Sequence, residues 1–254
     1  MERKLVSELK EAINERVCIK GWVHRVRKLK SITFLILRDR SGLVQCIVDN
    51  SESNLSEITL ESVVSIEGNV VQSNNKLNPF EVQVESLEII NKVKEELPIE
   101  INKESLELNL DTMLNNRVLS LRHPKVSSIF KVQNIIVDSF KAFLNSEGFT
   151  EIRTPKIVKE GAEGGTEVFE VKYFENKAYL AQSPQFYKQM MVGAGFERVY
   201  EVGHAYRAEE HNTNRHLNEY VSLDLEMGFI ENEYDVMELE ERLLKFILEE
   251  LKAK

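Results

Sequence analysis

Between Arg207 and His216 the chain sets two arginines, two histidines and two carboxylates close together: Arg207, Glu209, Glu210, His211, Arg215 and His216. A guanidinium presents a planar fork to phosphate oxygens, and a carboxylate can accept from an exocyclic amine. This set of groups suits a polyphosphate with a base attached. The flanks read as strands, because side chains alternate along an extended backbone. One arm brings Glu201, Gly203, Ala205 and Arg207 to a common face. The other sets Leu217, Val221, Leu223 and Leu225 against Asn218, Tyr220, Ser222, Asp224 and Glu226. A hairpin needs none of this chemistry merely to turn. A solvated, salt-bridged hairpin is the plain alternative.

Other reactive groups lie on both sides. EGAEGGTEVFEVKYF carries three glycines, at 161, 164 and 165, with Glu163 and Glu167 among them. Such a loop can adopt unusual backbone angles and close over a ligand, its carboxylates accepting from an ammonium group. In YLAQSPQFYKQMM, Ser183 and Pro184 read as an N-cap and a first helical residue. Nearer the start, residues 16–40 hold eight Lys or Arg and one acid, leaving 25 basic against 41 acidic residues elsewhere. A basic island on a chain of net charge −9 is an address for a polyanion rather than a general adhesive. Phe34 and Gln45 fall on facing arms of the 33–48 hairpin. An aromatic plane stacks an unpaired base and an amide reads a base edge, although a lone strand Phe is more often core.

The string YRAEEHNTNRHLNEY, followed by LDLEM, resembles motif 2 of the class II aminoacyl-tRNA synthetases, and within them the aspartate enzymes of the archaeal type. The run GWV…TFLILRDRSGLVQ resembles the anticodon-binding domain of the class IIb enzymes. The resemblance implies that Phe34 and Gln45 stack and read the anticodon. His24 resembles the forms that accept both tRNA(Asp) and tRNA(Asn). It further implies that Glu163, Gln185, Phe186, Tyr187, Lys188 and Arg207 hold L-aspartate. Arg207, Ala208, Glu209, Arg215, His216 and Leu217 are implied for ATP, with Arg207 the catalytic group at the α-phosphate. Magnesium would bridge the phosphates. The residues around Ile129 match motif 1, which implies a homodimer. An isolated helical lysine is ordinarily exposed, but the asparagine enzymes, similar over SPQFY, lack a lysine where Lys188 stands.

The elements needed to position these groups follow from periodicity. Strand-like segments at 17–28, 31–50 (a hairpin turning at Arg40-Ser41-Gly42), 62–73 and 80–90 predict a five-stranded OB-fold barrel over residues 1–95. Residues 96–115, charged and interrupted by Pro98, read as a hinge. From 116 to 254 the pattern is α+β, the first half of a class II antiparallel-sheet catalytic domain. Ile129, Val132, Ile136, Phe140 and Phe143 recur at helical spacing before Gly148, and Val236, Leu239, Leu243 and Ile247 form a second stripe. Cys18 and Cys46 lack metal-site spacing and read as buried thiols. No apolar run approaches a membrane span, so a cytoplasmic protein is expected. The family continues with further strands, metal-binding acids, another arginine for the aspartate side chain and motif 3; none is present in these 254 residues. No metal ligand is therefore expected within this chain, and the chain alone is expected to be inactive. An aspartate–tRNA ligase, or its N-terminal portion, is the favoured reading. A non-catalytic tRNA-binding relative and an asparagine–tRNA ligase are the alternatives.

Overall fold

The computed structural model describes all residues except 53–54, 162–167, 211–212 and 214–215. It divides into two compact units, Met1–Pro124 and Lys125–Lys254. The first is built on β1 (Arg16–Lys28), β2 (Ile32–Arg38), β3 (Leu43–Asp49), β4 (Val63–Gln72) and β5 (Phe80–Asn91), closed in the order β1-β2-β3-β5-β4. Alternation drives the closure. Val17, Ile19 and Val23 of β1, Leu35 and Leu37 of β2, Val44, Cys46 and Val48 of β3 and Val64 and Ile66 of β4 are all buried in one core. Gly21 is required where β1 meets β2, since a Cβ there would lie 2.3 Å from the carbonyl oxygen of Arg38. The turn after β2 is held by Asp39, whose Oδ1 accepts from the Ser41 and Gly42 amides. The β1–β2 register shifts between Val23 and Arg25, which leaves His24 as an extra residue in β1.

The stretch 96–115 is not featureless. Ile99 and Ile101 are buried, and α1 (Leu110–Asn115) is capped by Asn109, whose side chain accepts from the Thr112 amide. A four-residue helix α2 (Arg117–Ser120) follows.

The second unit opens with α3 (Pro124–Ser146), which ends before Gly148 at φ +81°. Its central sheet has the order β11-β10-β6, where β10 is Arg198–Tyr206, β11 is Glu219–Met227 and β6 is Thr150–Glu151. A second sheet joins β7 (Ile157–Val158), β9 (Asn176–Leu180) and β8 (Glu170–Tyr173). Two further helices are α4 (Gln185–Met191) and α5 (Glu233–Ala253). The core gathers Ile136, Phe140, Phe143 and Leu144 of α3, Tyr200 of β10 and Leu239, Leu243 and Ile247 of α5. The expected α3 stripe is only half used for packing. Ile129 and Val132 stay 61% and 43% exposed, because the cluster takes in α3 only from Ile136 onward. Among the described residues no helix is long and apolar enough to cross a membrane.

Candidate functional site

Two sets of side chains stand out, one in each unit. In the first unit, antiparallel pairing sets Arg25 opposite Ile36, Arg27 opposite Phe34, Ile36 opposite Gln45 and Phe34 opposite Ile47. Directly paired residues share a face, so Phe34 and Gln45 are diagonal neighbours on one surface rather than a direct pair. That surface is the floor of a groove of about 520 Å³, bordered by His24, Arg25 and Arg27, with Asn75, Lys76 and Leu77 on the far rim. Because His24 is an extra residue, two successive positions of β1, His24 and Arg25, both line the groove. Strict alternation would have supplied one. Gln45 donates to Glu81 at 2.8 Å, which orients its amide. The rim loop is shaped by Asn75, whose Oδ1 accepts from the amides of Leu77 and Asn78. Just behind the face, burial and the neighbouring Glu81 carboxylate push the Cys46 thiol's pKa up, so it remains protonated and inert.

In the second unit, β10 and β11 alternate as the sequence implies. Tyr200 pairs with Leu225 and Val202 with Leu223 on the packed face, while Glu201 pairs with Asp224, Gly203 with Ser222 and Ala205 with Tyr220 on the polar one. Helix α4 supplies Lys188 to the polar face. Lys188 is only 4% exposed, unlike an ordinary helical lysine. Its ammonium donates to Asp224 Oδ1 at 3.1 Å and to the Leu225 carbonyl at 3.2 Å, with Glu226 Oε2 at 3.5 Å. Gln185, one turn earlier, donates to the same Glu226 oxygen at 3.3 Å. A buried ammonium is tolerated because carboxylates surround it. Ser183 does not occupy the cap position expected of it. Pro184 does, and the Ser183 hydroxyl accepts from the Gln185 amide at 3.3 Å.

The remaining residues divide. Tyr187 is partly buried beside Lys188, whereas Phe186 is 55% exposed. Arg207 follows the last residue of β10, where its amide donates to the Asn218 carbonyl at 3.0 Å. Ala208 and Glu209 are partly buried. His216 lies 3.6 Å from the Glu209 carboxylate, and its Nδ1 is 2.6 Å from the Thr213 hydroxyl. Leu217 stands outside β11 and is 60% exposed, so it does not extend the apolar face as its spacing suggests. Glu163 and Arg215 lie outside the described residues, as do Glu167 and His211.

Two sets of contacts carry no local signal in the sequence. Glu201, 2% exposed, accepts from the Thr154 amide at 2.9 Å, the Thr154 hydroxyl at 2.7 Å and the Lys156 ammonium at 3.0 Å, tying the link between β6 and β7 to the polar face. Gln182 is fully buried against Gly161. The acids Asp224 and Glu226 are visible in the alternation of β11. Their pairing with a lysine 36 residues away is not.

The first unit is thus a closed five-stranded barrel carrying a basic, aromatic groove, and the second holds a caged lysine on the polar face of a sheet. Residues 17–90 match the OB-fold nucleic acid binding domain, and residues 109–254 match the tRNA synthetases class II (D, K and N). The chain belongs to the class II tRNA synthetases of the D, K and N group. Over 253 residues it is 50% identical to the aspartate–tRNA(Asp/Asn) ligase of Deinococcus radiodurans, covering 100% of this chain and 57% of that protein. It is 44% identical to the aspartate–tRNA(Asp) ligase of Pyrococcus abyssi over 95% of this chain and 57% of that one. Among solved structures, an aspartyl-tRNA synthetase from Leishmania major superposes with a TM-score of 0.87 at 34% identity, covering 99% of this chain and 53% of that one. The asparaginyl-tRNA synthetase of Pyrococcus horikoshii, complexed with asparaginyl-adenylate, gives 0.89 at 30% identity, over 98% and 58%. The chain thus spans little more than half the length of these relatives.

Proposed function

We propose that this chain supplies the RNA-reading domain and the amino-acid-selecting part of an aspartate–tRNA ligase. The observation that carries the reading is Lys188, buried beside Asp224 and Glu226 on the polar face of β10–β11. Aspartate and asparagine have nearly the same size, so charge must separate them. An ammonium in a dry site compensates a side-chain carboxylate and serves a neutral amide poorly. Gln185, Tyr187 and Phe186 border Lys188 in sequence, and we assign them to the same pocket with Glu163. Asp224 and Glu226 then have a second task, accepting from the substrate ammonium while holding Lys188.

The reaction proposed is attack of the aspartate α-carboxylate oxygen on the α-phosphorus of ATP. A carboxylate–phosphate bond forms, the bond to the β-phosphate breaks and pyrophosphate leaves. A hydroxyl of the terminal ribose of tRNA(Asp) then attacks the carbonyl, its proton is lost and AMP departs. Both steps rest on positioning and charge compensation rather than on a protein nucleophile. Arg207, at the end of β10, is assigned to the α-phosphate, and Glu209, Arg215 and His216, with the backbone at Ala208 and Leu217, to the rest of the nucleotide. Magnesium supplies charge neutralisation to phosphates when it is bound. Among the described residues no three His, Cys, Asp or Glu side chains gather as a metal site. We assign the groove bearing Phe34, Gln45 and His24 to the anticodon of tRNA(Asp), and of tRNA(Asn) as a second substrate. The exposed Ile129, Phe130 and Val132 of α3 are assigned to an interface with a second copy. We assign the protein to the cytoplasm, a compartment in which tRNA is charged.

The test is pyrophosphate exchange in an enzyme carrying these residues within the full length its relatives span. Exchange dependent on aspartate and weak with asparagine is expected. Equal exchange with the two amino acids would remove the assignment.

A further inference from the structure

Behind the groove lies a buried ion cluster that the functions assigned so far leave unexplained. Arg38, 7% exposed, holds Glu61 with both terminal nitrogens, at 3.0 and 2.6 Å. Glu61 is itself 2% exposed and also accepts from Arg122 at 2.9 Å. It sits at φ +62°, a conformation that favours glycine. Keeping glutamate there, buried and at a backbone cost, calls for a reason. Both guanidinium groups also lie over the Trp22 ring, at 5.9 and 5.3 Å. The same Arg38 nitrogen that holds Glu61 Oε1 is 3.2 Å from His24 Nδ1.

Arginine can only donate. His24 Nδ1 must therefore accept, which requires a lone pair on that nitrogen. A neutral imidazole with Nδ1 free carries its proton on Nε2, and a doubly protonated ring could not accept at all. The bulge in β1 sets this ring at the rim of the groove, while the His24 backbone carbonyl accepts from Nδ2 of the Asn102 side chain.

We propose that Glu61 and Arg38 are positioning residues that fix His24 as a neutral imidazole with its proton on Nε2, so that the groove offers an RNA base a hydrogen-bond donor at this point. The inference rests on the reading of the groove as the anticodon site. The surrounding charges agree with it. Burial holds the pKa of His24 below the ordinary 6.5, the Arg38 charge lowers it further, Glu61 opposes, and Arg25 and His123 add to the lowering. Two guanidinium groups against one carboxylate leave the cluster net positive, which disfavours an imidazolium beside it. A donor at this position accepts a base edge bearing an acceptor, such as a pyrimidine carbonyl oxygen or a purine N7. It rejects an edge that presents an amine.

Long-range ¹H–¹⁵N spectra of the full chain, with His24 assigned by its loss in His24→Phe, read the tautomer directly. A protonated Nε2 and a bare Nδ1 are expected at pH 7, persisting at pH 6.5. A proton on Nδ1, tautomer averaging, or a doubly protonated ring at pH 7 would overturn the inference whatever the RNA does. Glu61→Gln is expected to release Arg38 and bring tautomer averaging; an unchanged spectrum in that variant, folded by circular dichroism, removes Glu61 from the device. If it fails to fold, the parent spectrum still decides. With an anticodon stem-loop of tRNA(Asp), His24→Phe is expected to bind about 3–10-fold more weakly, the loss of one hydrogen bond. Weakening by Phe34→Ala with none from His24→Phe would overturn the donor role. Unchanged binding in both would instead overturn the anticodon reading, and would leave the tautomer result standing on its own.

Discussion

The two units solve the problem of presenting polar groups in different ways. In the barrel, every strand has two neighbours and the sheet closes on itself, so the inward residues are fully buried and the outward ones are fixed as a consequence. Phe34, Gln45, Arg25 and Arg27 are held at register positions of a ladder. In the second unit, β11 has only β10 beside it among the described residues. Its polar face gains a buried cation only because α4, distant in sequence, lays Lys188 onto Asp224. The barrel presents its polar groups by strand geometry, and the second unit by assembling separate elements. Mutations should therefore damage the two sites by different routes.

The largest effect is expected from the barrel core. Leu35, fully buried, changed to Ala should cost about 3–5 kcal/mol of stability. Denaturant unfolding followed by Trp22 fluorescence measures it, Trp22 being the single tryptophan and part of the barrel. A smaller loss, about 2–3 kcal/mol, is expected from Glu201→Ala, which strips Thr154 and Lys156 of their buried acceptor. Far-ultraviolet dichroism should record this loss while the Trp22 transition stays in place. A shift of the Trp22 midpoint as large as that of the dichroism would break the separation between the units.

Effects on binding come next. Phe34→Ala should cost about 1–3 kcal/mol of affinity for an anticodon stem-loop through lost stacking, with no change in the Trp22 unfolding midpoint. Gln45→Ala should blunt discrimination at one base rather than overall affinity, which a panel of single-base stem-loop variants would read. The smallest effect is one of pH. Since folding lowers the pKa of His24, the unfolded chain takes up that proton first. Its contribution is intact above about 6.5 and is lost as the pH falls through the lowered value. His24→Phe should flatten that part of the stability profile. An equally steep profile in the variant would locate the dependence elsewhere.

How much was legible in the sequence follows the same division. The barrel could be read from Val17 to Ile90, because period-two alternation and the Arg40-Ser41-Gly42 turn carry it locally. The α5 stripe was legible too, since Leu239, Leu243 and Ile247 follow helical spacing and are buried. Three things were not. The bulge at His24 leaves no local signature, because it depends on how β1 meets β2. The exposure of Ile129 and Val132 depends on how far the core reaches along α3, and periodicity says only that an apolar face exists. The cage around Lys188 joins positions 36 residues apart, and nothing local in SPQFYK distinguishes a buried lysine from an exposed one. The family resemblance singled out Lys188, and the fold buries it beside Asp224 and Glu226.

In the proposed function the charge of Lys188 selects the amino acid. The direct test is pyrophosphate exchange with aspartate and with asparagine, comparing the parent with Lys188→Leu in the full-length context, with ATP affinity measured alongside. The preference for aspartate should collapse in the variant while ATP binds as before. A variant that still prefers aspartate as strongly as the parent would contradict it.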